Sequence, residues 1–203
     1  MKSIYFVFVL VMINLSTFSQ NYNKFGMETV AEGLSVGTIA PDFEGVNQKG
    51  EKILLKRQLE KGVVVLIFYR GYWCPHCSKH LKLFQDSLQV LVENGAQIIA
   101  ITPEQEDGVN NTIDNTKAQF DIISDIGNRI QKDYKVLFEV TDKYKMKIKT
   151  WLFTDIADNN GDTVAYLPVP ATYIIGQDNK IKYVQFDPNY KNRSNVKEIL
   201  QNL

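Results

Sequence analysis

This chain of 203 residues has only two cysteines, two histidines and six prolines, and its acidic and basic groups cancel at 23 each. Each shortage closes off a class of answers. Two cysteines cannot staple a disulfide scaffold. A formal net charge of +0 removes any global pull towards polyanions, so no nucleic-acid partner is expected. With 44% hydrophobic and 11% aromatic residues, the composition is not collagenous, low-complexity or disordered. There is no internal repeat and no Ser-, Pro- or Gly-rich linker, which leaves one globular domain.

One apolar run stands outside this pattern. Met1 and Lys2 precede an apolar stretch over residues 4–15, and Ser16-Thr17-Phe18-Ser19 follow with small residues where a signal peptidase reads. Residues 1–19 therefore read as a signal peptide cleaved after Ser19. The stretch is too short for a comfortable membrane span, so no stable membrane insertion is expected once it is removed. The mature chain is expected to be exported, to a periplasm or outside the cell, where two close thiols can form a disulfide. Residues 20–34 read as a mobile lead-in and residues 35–203 as the domain.

Within the domain, residues 62–69 form a continuous apolar, β-branched run, the signature of a strand buried on both faces. It leads directly to the cysteines. Cys77, Leu81, Phe84, Leu88 and Leu91 then recur at helical spacing, and Asn94-Gly95 supplies a stop. Strands follow at 97–102 and around 120–124, with a helix carrying Val109 and Ile113 between them. Residues 172–175 and 181–186 read as an antiparallel hairpin, and a last helix begins with Ser194 as cap. The expectation is an α/β fold, a central mixed parallel and antiparallel sheet flanked by helices. Residues 138–163 read as an insertion in which Tyr144, Met146 and Ile148 alternate with lysines as in a strand, although a helix fits equally.

Trp73-Cys74-Pro75-His76-Cys77 lies where the buried strand gives way to the amphipathic helix. A thiol at a helix N-terminus faces free N–H groups and the positive end of the macrodipole, which lowers its pKa. Cys74 is thus the candidate nucleophile. Cys77, one turn on, is the candidate resolving thiol able to break a mixed disulfide on Cys74. Pro75 suits the first helical position, and His76, when protonated, would favour the thiolate further. The alternatives are a structural disulfide in a non-enzymatic binding module, or a zinc site using Cys74, Cys77 and either His76 or His80. No further Cys or His exists elsewhere in the chain to complete such a site, so no metal and no cofactor are expected.

These residues, followed much later by Val169-Pro170-Ala171-Thr172, resemble the thioredoxin-like superfamily. The resemblance implies a cis-proline loop at Pro170 that faces the dithiol and turns the backbone of Val169 towards an extended substrate; Pro168 is the lesser alternative. A narrower likeness rests on Ala40-Pro41-Asp42-Phe43, Phe68-Tyr69-Arg70-Gly71-Tyr72-Trp73-Cys74-Pro75, Leu167-Pro168-Val169-Pro170, and Asp187-Pro188-Asn189-Tyr190 with Arg193. Together these are similar to the peroxiredoxin-like branch of the alkyl hydroperoxide reductase/thiol-specific antioxidant (AhpC/TSA) family. Members of that family organise peroxide with a proline seven residues and a threonine three residues before the peroxidatic cysteine, positions held here by Ile67 and Gly71. Arg70 is the one nearby side chain able to substitute as a donor to the peroxide oxygens; its other reading is a solvated strand-end arginine.

Thioredoxins also carry a buried aspartate six residues before the nucleophile, where this chain has Phe68. Glu104 is the remaining proton acceptor at that sheet edge, but it reads first as a surface loop glutamate. The lysines at 143, 145, 147 and 149 read as a solvated face, and Asp158-Asn159-Asn160-Gly161-Asp162 as a turn. The leading expectation is an exported thiol–disulfide oxidoreductase acting on a protein dithiol or disulfide. The second is a thiol-dependent peroxidase that uses a peroxide and a thiol reductant.

Overall fold

The computed structural model describes residues 24–203. The expected signal peptide and its cleavage point lie outside the described residues.

The fold grows from β3 (Val63–Phe68), whose residues 64–68 are all buried. A strand with no polar face belongs at the centre of a sheet. It pairs in parallel with β4 (Ala96–Thr102) on one side and antiparallel with β8 (Ala171–Ile175) on the other. The edges are β5 (Asp121–Ser124), parallel to β4, and β9 (Ile181–Phe186), antiparallel to β8, giving the order β5-β4-β3-β8-β9. Two small ribbons complete the strands: β1 (Glu44–Val46) with β2 (Lys52–Leu54), and β6 (Leu137–Glu139) with β7 (Tyr166–Pro168).

Alternation along β3 divides the core between two faces. Val64, Leu66 and Phe68 point to the face covered by α1 (Leu55–Lys61) and α5 (Arg129–Asp133), with Phe43, Tyr134 and Tyr173. Val65, Ile67 and Tyr69 point to the other, packed by α2 (Pro75–Asp86), α3 (Leu88–Glu93), α4 (Glu106–Thr116) and α8 (Val196–Gln201). Both cysteines belong to this second face.

The structure alters four expectations. The helix after the cysteines breaks at Ser87 into α2 and α3. Of the lead-in, residues 27–33 are tied down rather than mobile: the N–H groups of Glu28, Glu32 and Gly33 donate to Glu139 and Lys135, and Met27 and Ala31 are buried in the core. The segment between β6 and β7 folds as α6 (Asp142–Leu152) and α7 (Ile156–Asn160). Thr141 caps α6 by accepting from the Tyr144 N–H, which places Tyr144 and Ile148 inward at i, i+4 and leaves Met146 70% exposed. Finally, Asn195 rather than Ser194 caps α8, in a reciprocal capping box with Glu198.

Phe68 packs its ring against Tyr134 and Tyr173 at centroid distances of 5.3 and 6.0 Å, on the face away from the cysteines. Phe68→Ala is expected to cost about 3–5 kcal/mol in urea unfolding. Thiol titration of the folded variant is expected to be unchanged, which checks that the two faces are independent.

Candidate functional site

After Phe68 the chain stays on the sheet for one more bond, Tyr69 N–H to Ile101. It then turns through Arg70, Gly71, Tyr72 and Trp73 into α2. Cys74 is the N-cap of that helix and Pro75 its first residue; the Cys74 carbonyl accepts from the N–H groups of Cys77 and Ser78. Sequence-local signals thus place both thiols where they were expected. Both are reduced and both are buried.

Arg70 is not a solvated arginine. It is 4% exposed, and one Nη donates to Cys74 Sγ at 3.0 Å while the other donates to the Tyr144 hydroxyl. Its guanidinium lies 4.0 Å from the Tyr190 ring centroid and 5.4 Å from that of Trp73. A second arginine, Arg193, approaches Cys77 Sγ at 3.7 Å. The cationic part expected of His76 passes to these two. His76 is exposed, its ring edge against Tyr190, and burial together with Arg193 and Arg70 lowers its pKa, so it is neutral at neutral pH.

The thiols titrate as a pair. Burial, then the neighbouring sulfur, pushes the Cys74 thiol well up. Cys77 is held well down: its own burial opposes this, but the bond from Cys74 and the charges of Arg70 and Arg193 prevail. The pair therefore gives up its first proton readily and its second with difficulty, and a single negative charge is held between two sulfurs and two arginines. Burial disfavours the charge on Arg70 itself, yet the sulfurs and Tyr144 hold its pKa up.

Glu104 departs furthest from expectation. It is fully buried beneath this turn, with one oxygen accepting from the Tyr72 N–H at 2.8 Å and the other without a partner among the described residues. Two glycines make its slot. A Cβ at Gly71 would come within 2.4 Å of the carboxyl oxygen, and one at Gly108 within 2.7 Å of the Glu104 Cβ. Gly71 also has a φ of +151°, so it is held there by conformation as well as space. Burial, reinforced by the charge on Cys77 and opposed by the Tyr72 bond, pushes the Glu104 pKa up to about 8. Phe68, six residues before Cys74, faces the opposite side of the sheet.

The Val169–Pro170 loop also differs. The described residues contain no cis peptide bond. Val169 is buried with the cysteines in one core cluster, and its N–H is taken by Val136, in register with the Leu137–Pro168 pairing of β6 and β7. That pairing fixes the approach to Pro170, and Val169 has no N–H free for a substrate.

His80 is spent structurally. Its Nε2 lies 3.1 Å from the Ser194 carbonyl, and the Ser194 hydroxyl donates to Thr172 at 2.9 Å. Burial, then Arg193, lowers its pKa to about 4. This chain pins α2 to the segment that carries Tyr190 and Arg193. Among the described residues, no three His, Cys, Asp or Glu side chains converge as a metal site requires. Tyr144, Tyr190, Arg193 and Ser194 were not assigned to the site from sequence; Tyr190 and Arg193 lie in a motif that carried the family resemblance, while Tyr144 gave no signal of its role.

Residues 36–184 match the AhpC/TSA family. The chain is 31% identical over 113 residues to the thiol-disulfide oxidoreductase ResA of Bacillus thuringiensis subsp. konkukian, covering 55% of this chain and 64% of that protein. It is 25% identical over 173 residues to the chloroplastic peroxiredoxin Q of Triticum aestivum, covering 84% and 68%. Peroxidoxin BcpB of Mycobacterium tuberculosis superposes with a TM-score of 0.64 at 19% identity, over 83% of this chain and 96% of that one, and shares its thioredoxin-like fold.

Between the ordinary carboxyl value of 4.5 and about 8, folded Glu104 holds a proton that the unfolded chain has released. Its contribution to stability therefore falls as pH rises through that window and is flat above it. Glu104→Gln keeps an acceptor for Tyr72 and cannot ionise. Relative to wild type, the variant is expected to gain stability steadily across the window, read as urea midpoints on either side of it; parallel pH profiles would show that Glu104 is not the buried acid.

Proposed function

Because the chain belongs to the AhpC/TSA family, a family of thiol redox enzymes, we propose that it is an exported thiol–disulfide oxidoreductase working through Cys74 and Cys77. The observation that carries this reading is that each sulfur faces its own arginine, while Cys77 sits in the first turn of the helix that Cys74 caps. Export rests on the signal-peptide pattern in residues 1–19.

The one proton the pair retains passes from Cys74 to Cys77, and the Cys74 thiolate so formed attacks one sulfur of a partner disulfide; the Cys74–partner bond forms and the partner's other sulfur leaves as a thiolate that takes up a proton. Cys77 then attacks Cys74 Sγ. The Cys74–Cys77 disulfide forms, the second partner thiolate leaves, and two electrons have passed to the partner. Run backwards, the same steps oxidise a partner dithiol. Arg70 favours the attacking thiolate through a charge-assisted hydrogen bond. Glu104 serves Cys77: in its ionised form it takes the proton that leaves the Cys77 thiol, and the charge left on that sulfur then raises the basicity of Glu104 and holds the proton there. Trp73 and Pro75 shape the helix entry, and Val169 and Pro170 wall the dithiol.

One observation favours peroxide reduction as a second reading. Arg70 brings the Tyr144 hydroxyl and Cys74 Sγ onto one guanidinium, a donor set that could receive a peroxide although Ile67 and Gly71 supply none. Thiolate attack on the terminal oxygen would break the O–O bond, release the alcohol after protonation and leave a sulfenic acid on Cys74. Cys77 would expel water to close the disulfide, and an external thiol reductant would reopen it.

Cys77→Ser separates the readings. Given a protein disulfide, the variant is expected to accumulate mixed disulfide on Cys74 in non-reducing gels; accumulation of sulfenic acid under peroxide alone would establish the peroxidase instead. Loss of the Arg70 bond, worth about 1.5–3 kcal/mol, predicts that Arg70→Met slows attack by Cys74 about ten- to a hundredfold in stopped-flow Trp73 fluorescence.

A further inference from the structure

The four lysines that read as one solvated face do not behave alike in the structure. Lys145 pairs with Asp142 and Lys149 with Asp155. Lys143 and Lys147, one turn apart on α6, have no carboxylate partner among the described residues and instead line a cleft with Lys24 and Lys191. The cleft is about 790 Å³, and no Asp or Glu lines it. Like charges at i, i+4 with no counter-charge destabilise a helix, so this arrangement asks for a ligand that supplies the missing charge.

The cleft also borders the group that holds the Cys74 sulfur. Tyr144 and Tyr190 line it, and these are the two side chains that hold Arg70: Tyr144 accepts from one Nη, the Tyr190 ring lies 4.0 Å from the guanidinium, and the other Nη meets Cys74 Sγ at 3.0 Å. Lysines from three separate segments, the N-terminal lead-in, α6 and the loop after β9, therefore surround the two tyrosines that hold Arg70 against Cys74.

We propose that this cleft docks an acidic segment of the protein whose disulfide exchanges with Cys74. The inference rests on the oxidoreductase reading and adds the chemistry of the partner. Carboxylates beside the partner's cystine would sit among the four lysines, with the aromatic floor beneath the adjoining chain, while exchange proceeds by the steps given above. Complementary charge of this kind acts chiefly on encounter and register.

The test uses two synthetic peptides of equal length, each closed by one disulfide, one with glutamates and one with lysines flanking the cysteines. At low ionic strength the reduced protein is expected to react at least about tenfold faster with the acidic peptide, and the gap to close as salt shortens the range of the field. K143E/K147E, checked for an unchanged thermal midpoint, is expected to abolish or reverse the preference, and K145E on the same helix to retain it. Equal rates for the two peptides, or equal loss in K145E and K143E/K147E, would overturn the cleft while leaving disulfide exchange intact. Oxidised glutathione reacting as fast as the acidic peptide, with the same sensitivity to K143E/K147E, would replace the peptide by a small carboxylated disulfide and so overturn the docking assignment. Reaction with neither peptide would overturn the exchange reading itself, and this inference with it.

Discussion

A buried guanidinium with no carboxylate against it is stable only if another group supplies negative charge. Arg70 is in that position, and the group is the dithiol. Tyr144 and the faces of Trp73 and Tyr190 solvate the cation without neutralising it. The reduced, singly ionised pair therefore completes an ion pair that the rest of the site is built around. Oxidation to a disulfide removes the negative charge and leaves Arg70 and Arg193 facing neutral sulfur. Whatever stabilises the reduced form raises the reduction potential, so the two arginines bias the disulfide towards accepting electrons, and they do so without a protonated His76.

The acid beneath the pair answers a second constraint. Burial separates the dithiol from bulk solvent, and Glu104 is a buried carboxyl that feels the Cys77 charge. Its slot exists because residues 71 and 108 have no side chains. Gly71 also occupies the place three residues before the cysteine where the family's peroxide-organising threonine would stand. The space that a threonine side chain would need is held here by the Glu104 carboxyl and the Trp73 indole, which a Cβ at Gly71 would meet at 2.4 and 2.5 Å.

How much of this was legible in the sequence follows from chain separation. β3, the Cys74-Pro75-His76-Cys77 turn and α2 are contiguous, and burial of β3 on both faces is written in its unbroken apolar run, so they could be read directly. Arg70 is also local, but its burial depends on Tyr144 and Tyr190, which arrive from β6–β7 and from the loop after β9. Glu104 reads as loop because Pro103 and Gln105 flank it; only the parallel pairing of β3 with β4 carries it beneath the dithiol. The lysines around Tyr144 leave strand and helix equally open, because every second residue is charged while Tyr144 and Ile148 also stand one helical turn apart. The Thr141 cap settles the helix, and helical phase then sorts the same four lysines into two paired ones and two that face the cleft. The expected cis-proline came from resemblance, and the pairing of β6 with β7 directs the backbone before Pro170 otherwise.

The last constraint concerns access. Neither sulfur is open to solvent, and the cover is one segment, residues 187–194, bearing Tyr190 on Arg70 and Arg193 on Cys77. At its end, Ser194 is fixed to His80 of α2 and Thr172 of β8 by neutral hydrogen bonds. Within it, Asn189 and Asn192 bond to Asp187 and to each other, and the Asn192 carbonyl accepts from Gln185 of β9 at 3.2 Å. The segment is thus tied to β9 at Asn192 and anchored at Ser194, while the Tyr190 ring lies against Arg70. In the proposed exchange, a partner that displaces this ring from Arg70 would reach Cys74 while the Ser194–His80 contact keeps Arg193 near Cys77. That order, nucleophile uncovered and resolving thiol still held, is what two-step exchange through a mixed disulfide requires.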